Sequence, residues 1–119
     1  MLYEYACQVF NVHDGDTVDC IIDLGMRIQK VERIRLWGIN AAELSTGKPG
    51  LTAKEALRLL VIGKPLIIRT IKDKDDKYGR LLGVFFEKNS DRSVNQKLLD
   101  QGLAVPFMVK MNGDRLPDV

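Results

Sequence analysis

Three short segments of this 119-residue chain carry side chains that could act on a phosphate group. They are Asp14-Gly15-Asp16-Thr17, the stretch from Arg35 to Glu43, and the stretch from residue 76 to Arg80. They supply acidic oxygens for a hard cation, a separate carboxylate, and two guanidinium groups that can bind phosphate oxygens in pairs. Hydrolysis of a phosphodiester needs this combination of groups, so the three segments predict a phosphodiesterase site.

The strands that must position these groups can be located from alternation and turn residues. Val18, Cys20, Ile22 and Leu24 alternate with polar residues, which is typical of a half-buried strand. A hairpin turn is predicted at Leu24-Gly25-Met26. Strands are predicted over residues 4–12, 16–24, 27–37, 65–72 and 81–87, with a charged hairpin loop over residues 73–79.

Two helices are predicted between and after these strands. The segment from residue 38 to 50 is rich in glycine and proline and is predicted to be a loop that carries Glu43. Thr52 and Glu55 resemble a capping box that would start the first helix, and Gly63 would end it. The second helix is predicted to begin near Ser93 and to stop at Gly102.

The order of three strands, a helix, two strands and a helix predicts a mainly β fold of the α+β class. It suits a five-stranded, partly open barrel of the OB type with two packed helices. An antiparallel meander packed against one helix is the alternative. We expect one domain over residues 1–109 and a short flexible tail over residues 110–119, where the pattern fades.

Composition excludes some classes of protein. A net charge of +2 is too small to identify a nucleic-acid binder by its field alone. There is no apolar run long enough to cross a bilayer and no secretory signal, so we expect a cytoplasmic protein with no membrane partner. Cys7 and Cys20 are then expected to be reduced thiols, and neither has a neighbour at zinc-ligand spacing.

Taken singly, these residues have simpler explanations. Asp14-Gly15-Asp16 alone is most often a plain turn. Arg33 and Arg35 share one strand face, where arginines are commonly solvated or salt-bridged. His13 is more readily a surface or hydrogen-bonded residue than a catalyst, and Trp37 suits the core. The joint occurrence of these residues in this order favours a functional site.

The three segments together resemble the staphylococcal nuclease family, and their amino-acid sequence looks most similar to the bacterial and phage-encoded members. The similarity runs from about Tyr5 to Phe107 and includes the stretch Gln101-Gly102-Leu103-Ala104. The resemblance implies an OB-fold core and a calcium-dependent nuclease that hydrolyses DNA and RNA with low sequence specificity. It also implies products with 3′-phosphate ends.

The resemblance also assigns roles to individual residues. Arg35 and Arg80 match the arginines that grip the scissile phosphate, and Glu43 matches the carboxylate that activates water. Asp16, Asn40 and the backbone oxygen of Ala41 match the calcium ligands, with Thr17 nearby and Asp14 further from the metal. Lys77 and Tyr78 match a pair that contacts a terminal phosphate of the bound nucleotide.

This chain departs from the family at two positions near that site. Asn40 stands where the first-described members of the family have a second metal-binding aspartate, and Ala42 stands where most members have proline before the glutamate. Because calcium affinity follows the charge of the ligands, we expect a weaker metal site rather than none. Met108 and Lys110 also replace tyrosines that stack on the base in better-known members.

Two other hypotheses for the function are compatible with the sequence. The chain could be a catalytically weak or inactive OB-fold module that binds single-stranded nucleic acid or a protein partner, or an inactive structural subunit. Retention of both arginines and Glu43 favours the enzyme. For the enzyme we expect single strands to be the preferred substrate, because a barrel groove suits unstacked bases. Self-association and a monomeric state both remain open.

Overall fold

A computed structural model describes residues 3–75 and 80–107 of the chain. Within these residues the strands and helices follow in the order β1 (Tyr3–Asp14), β2 (Thr17–Gly25), β3 (Ile28–Leu36), β4 (Ile39–Ala41), α1 (Lys48–Val61), β5 (Leu66–Asp75), β6 (Leu81–Glu87), α2 (Val94–Asp100) and β7 (Ala104–Pro106). A short 3-10 helix, Leu44–Thr46, precedes α1. No helix in this part of the chain is long and apolar enough to span a membrane.

Five of the strands form a barrel in the order β1-β2-β3-β6-β5, and β1 closes it by pairing with β5. Neighbouring strands are antiparallel except β3 and β6, which run parallel. This confirms the predicted α+β class and five-stranded OB architecture. The barrel is closed, although the sequence predicts a partly open one.

The core lies inside the barrel and beneath α1. Val18, Cys20 and Ile22 of β2 point inward as their alternation predicts, but Leu24 is exposed because it lies at the end of the hairpin. The buried positions of α1 belong to the same core as the buried residues of β1, and α1 packs against that strand. Cys7 and Cys20 are both buried free thiols. A hydrogen bond between them, together with burial, raises the pKa of Cys7.

The first helix begins earlier than predicted. It starts at Lys48, with Gly47 as its N-cap and Pro49 in its first turn, so the predicted capping box at Thr52 is wrong. Proline is tolerated in the first turn because the amide hydrogen it lacks has no partner within the helix there. The predicted end is confirmed, since the helix stops at Val61 and Gly63 has a positive φ of 76°.

The second helix was located correctly, and it anchors the end of β3. The hydroxyl of Ser93 accepts a hydrogen bond from the Gln96 amide, as the predicted cap requires. The buried side chain of Asn95 donates to the carbonyl oxygen of Trp37 and accepts from the amide of Phe85. Trp37 is buried, as expected, in a second apolar cluster on β6. These bonds fix the chain where it leaves β3 and approaches the candidate site.

Strands β4 and β7 were not predicted. They pair with each other in a separate two-stranded sheet, in which Asn40 faces Val105 and Ala41 faces Ala104. The amide of Phe107 extends this pairing by donating to the carbonyl oxygen of Gly38 at 2.7 Å. Each strand has only three residues, too few to show a period in sequence. Their pairing brings the segment after α2 alongside Asn40 and Ala41.

Candidate functional site

The turn between β1 and β2 packs tightly against two other elements. A Cβ atom on Gly15 would come within 2.6 Å of the Cβ of Ala53 in α1 and within 2.7 Å of that of Ala41 in β4. Only glycine allows this approach without displacement of the neighbouring backbone. Within the turn, a carboxylate oxygen of Asp14 accepts a hydrogen bond from the Asp16 amide at 3.1 Å. The turn therefore holds Asp16 directly against the start of the segment that carries Ala41.

The carboxylate of Asp16 lies at the centre of the site and is only 7% exposed. Its Oδ2 accepts a hydrogen bond from the amide of Ala41 at 2.9 Å, and its Oδ1 accepts one from the hydroxyl of Thr17 at 3.1 Å. Nη2 of Arg35 lies 3.6 Å from Oδ2. Burial and a hydrogen bond with the Asp14 carboxyl raise the pKa of Asp16, while Ala41 and Arg35 oppose this shift.

Arg35 lies near the end of β3 and is equally buried, with 7% of its surface exposed. Its Nη2 donates to the carbonyl oxygen of Ile39 at 3.1 Å and to Oδ1 of Asn40 at 3.0 Å. The guanidinium lies 4.9 Å from the ring centre of Phe107. All the polar contacts of this guanidinium with described residues pass through Nη2. The hydrogens on Nε and Nη1 therefore remain available for an anion.

Arg80 reaches the same site from the chain segment just before β6. Its Nη1 donates to the hydroxyl oxygen of Thr17 at 3.0 Å. The position follows from the parallel pairing of β3 with β6, in which Leu81 lies beside Ile34, next to Arg35 in sequence. Thr17 accepts from Arg80 and donates to Asp16, so its hydroxyl links both.

Glu43 lies beyond β4, two residues after Ala41, and its side chain is exposed. It caps the 3-10 helix in an extended conformation, and Ser45 lies 3.5 Å from its carboxylate. A Cβ on Gly50 would come within 2.1 Å of the carbonyl oxygen of Glu43. The glycine in the first turn of α1 therefore sets the path of the backbone that carries Glu43.

The remaining predicted site residues, Lys77 and Tyr78, lie outside the described residues, as do Met108, Lys110 and the expected tail. The contact of Phe107 with Arg35 was not predicted, because β7, which precedes Phe107, is too short to be recognised from sequence. Asp19, which forms an ion pair with Arg33 at 2.9 Å, was not predicted as its partner either. The pairing of β2 with β3 places these two residues opposite each other, so a register prediction could have found it.

The donor set at the site suits a hard cation. Among residues 3–75 and 80–107, no group of three or more histidine, cysteine or acidic side chains is suitably placed to hold a metal. Two acidic residues, Asp14 and Asp16, lie in the same turn, where the Asp14 carboxylate accepts a hydrogen bond from the amide of Asp16. Calcium and magnesium prefer carboxylate, hydroxyl and carbonyl oxygens, so the chemistry of the Asp14, Asp16 and Thr17 side chains is compatible with such an ion.

The fold and the site define an OB-barrel protein in which two arginines meet one buried aspartate beside the turn between β1 and β2. A family model described as staphylococcal nuclease homologue matches residues 33–117. The match spans most of the chain, so this chain belongs to the staphylococcal nuclease family, whose members are in general phosphodiesterases that act on nucleic acids. A comparison with curated proteins found no match.

The matched segment contains Arg35, Asn40, Glu43 and Arg80. Asp16 and Thr17 precede it and are joined to it by the contacts with Ala41, Arg35 and Arg80 described above.

Proposed function

We propose that this protein is a calcium-dependent nuclease that hydrolyses phosphodiester bonds of DNA and RNA and leaves 3′-phosphate ends. One observation carries the proposal. Two guanidinium groups from distant parts of the sequence meet one buried carboxylate, Arg35 at 3.6 Å from Asp16 and Arg80 through the hydroxyl of Thr17. Two positively charged guanidinium groups beside one carboxylate can bind a phosphate and stabilise the additional negative charge that develops on it in the transition state.

The two arginines would bind the scissile phosphate. Arg35 is held by its Nη2 contacts and by the ring of Phe107, so its remaining donors are oriented before the substrate arrives. Arg80 is oriented by Thr17. Donors positioned in advance stabilise the charge that builds in the transition state without the cost of reorganising water.

Asp16 and the carbonyl oxygen of Ala41 would hold the cation, with Thr17 nearby, Asp14 further from it, and water completing its oxygen ligands. When bound, calcium neutralises part of the phosphate charge and polarises a phosphate oxygen. The side-chain oxygen of Asn40 accepts from Arg35. It is neutral where an aspartate would be charged, so we propose that it orients Arg35 and adds little to cation affinity.

Glu43 would act as the general base that takes a proton from the attacking water. Its carboxylate is exposed and close in sequence to Ala41, while its backbone is held against Gly50. A general base of this kind typically contributes about 10²- to 10⁴-fold in rate. Contacts to phosphate carry no sequence information, so low sequence specificity follows from the same residues.

The test is incubation of plasmid, single-stranded DNA and RNA with calcium and, in parallel, with a chelator. We expect cleavage only with calcium, faster on single strands, and a 3′-phosphate on the products by end-group analysis. Glu43→Gln should lose about 10²-fold or more of the rate, whereas Glu55→Gln, at an exposed position of α1, serves as the matched control. Binding of single strands without cleavage by the native chain would favour the inactive binding module instead.

A further inference from the structure

A groove beside the candidate site is not explained by phosphate cleavage alone. It encloses about 710 Å³ and is open to solvent over the outer face of β1, β2 and β3. Thr17 and Arg80 line it together with residues that lie outside the site. Because Thr17 and Arg80 line it, the groove is continuous with the position proposed for the scissile phosphate. Its volume falls in the range of pockets that bind small organic groups, roughly 300–1,000 Å³.

The strand register arranges the groove in successive rows. Thr17 faces Arg35 across β2 and β3, Asp19 faces Arg33 in the next outward row, and Ile21 faces Val31 in the row after that. Each row is about 7 Å from the previous one, since a strand rises about 3.3 Å per residue. The second and third rows are thus within reach of the nucleotide next to a phosphate held in the first row.

The second row is a fixed polar network centred on Asp19. Its carboxylate accepts from Nε of Arg33 at 2.9 Å and lies 2.7 Å from Nε2 of His13. Asn11 donates to the same carboxylate at 3.3 Å. Asp19 therefore orients both His13 and Arg33, while Arg33 keeps further N–H groups for a ligand because its side chain is 53% exposed.

Large apolar side chains flank this network. Phe10 is 51% exposed and lies at a bulge in β1, between Val9 and Asn11, and Val31 is 64% exposed on β3. Both line the groove. An aromatic ring at the edge of such a groove offers a face on which an unpaired base can stack.

The charges of the groove argue against a second phosphate as its occupant. Outside the candidate site, Asp19 and Glu32 are balanced by Arg33 and by Lys30, which lies 2.8 Å from Glu32. A neutral set of charges gives no net attraction for an anion. Hydrogen-bonding groups between apolar walls match instead the edge and the faces of a nucleobase.

We propose that this groove is a nucleobase subsite that binds the base next to the scissile phosphate, with Phe10 and Val31 against its face and Arg33 at its edge. The proposal rests on the proposed nuclease function, because it takes the neighbouring phosphate to lie between Arg35 and Arg80. The subsite explains why an unpaired strand would be preferred, since a base inside a duplex could not enter the groove.

The experiment uses short single strands with one cleavable phosphodiester, every other linkage being a methylphosphonate. Three versions carry a full set of bases, an abasic residue on the 5′ side of that bond, or an abasic residue on its 3′ side. Cleavage by Phe10→Ala, Val31→Ala and Arg33→Ala is compared with that by the native chain. Leu59→Ala, which removes an apolar side chain 74% exposed on α1, is the matched control.

We expect Phe10→Ala to lower kcat/KM by roughly 5- to 100-fold on the strand with all bases. On one of the two abasic strands the same variant should match the native chain, because the base it would contact is missing. An equal loss on all three strands, or no loss on any, would overturn the subsite. If Phe10→Ala does not fold, as judged by circular dichroism, Val31→Ala and Arg33→Ala decide by the same comparison.

Binding measurements separate this inference from the proposed function. Anisotropy of a labelled strand with no cleavable linkage reports binding whether or not the chain hydrolyses DNA. Weaker binding by Phe10→Ala on the base-bearing strand alone supports the subsite even if no strand is cleaved, a result that would refute only the nuclease proposal. Unchanged binding together with normal cleavage by the native chain would refute only the subsite.

Discussion

Replacement of Arg35 by lysine tests the central part of the proposed site, because it keeps the positive charge and removes the planar guanidinium. In the structure, Nη2 alone serves Ile39 and Asn40, while Nε and Nη1 remain for the substrate. A lysine ammonium would have to divide its few hydrogens among those same acceptors and the phosphate. We therefore expect the variant to fold and to lose a positioned donor in the transition state.

The expected size of the loss follows from that donor. Removal of one preorganised donor from a developing anion costs about 3 kcal/mol in the barrier, which is about a hundredfold or more in rate. The fold should lose only about 1 kcal/mol, because the hydrogen bonds to Ile39 and Asn40 are partly replaced. Because the interaction strengthens in the transition state, the loss should appear in kcat more than in KM.

The assay is the initial rate on single-stranded DNA at saturating calcium, with unfolding by urea measured on the same preparations. Arg69→Lys is the matched control, since Arg69 also lies over a ring, 4.8 Å from the centre of Phe86, and pairs with Glu4 outside the site. We expect the control to cleave at nearly the native rate. A native rate for Arg35→Lys would refute the assignment of Arg35 to the phosphate.

Three further predictions address other parts of the site. Asn40→Asp adds a charge beside the proposed cation and should tighten calcium binding several-fold, and equal affinities by titration calorimetry would contradict this. Phe107→Leu removes the ring beneath Arg35 and should cost about 0.5–2 kcal/mol of transition-state stabilisation, with KM little changed in steady-state kinetics. The ion pair with Arg33 lowers the pKa of Asp19 to about 2, below its ordinary value of 3.8. The contribution of this ion pair to the free energy of unfolding is therefore present above about pH 4 and is lost as the pH falls towards 2. Asp19→Asn should destabilise the fold by about 1 kcal/mol at pH 7, a value reduced because Arg33 is exposed to solvent. Urea unfolding at pH 2 should show a much smaller difference between the variant and the native chain.

Local sequence patterns predicted most of the strands and helices of the fold. Alternation in β2 predicted a strand that the structure confirms, and the Ser93 cap and Gly102 located α2. These signals are short in range, because a strand or a helix end is specified by residues within a few positions of one another. The predicted start of α1 is wrong because the glycines and proline of Gly47-Lys48-Pro49-Gly50 favour a loop, although Pro49 is compatible with a first helical turn.

The family and the types of the site residues were also accessible from sequence, since Arg35, Glu43 and Arg80 keep recognisable surroundings. Their arrangement was not. The contact between Arg80 and Thr17 depends on the parallel pairing of β3 and β6, and the contact between Arg35 and Phe107 depends on the pairing of β4 and β7. The groove of Phe10, Asp19 and Arg33 likewise exists only once the register of three strands is set. Such contacts join residues far apart in sequence, and only the closed barrel decides which of them meet.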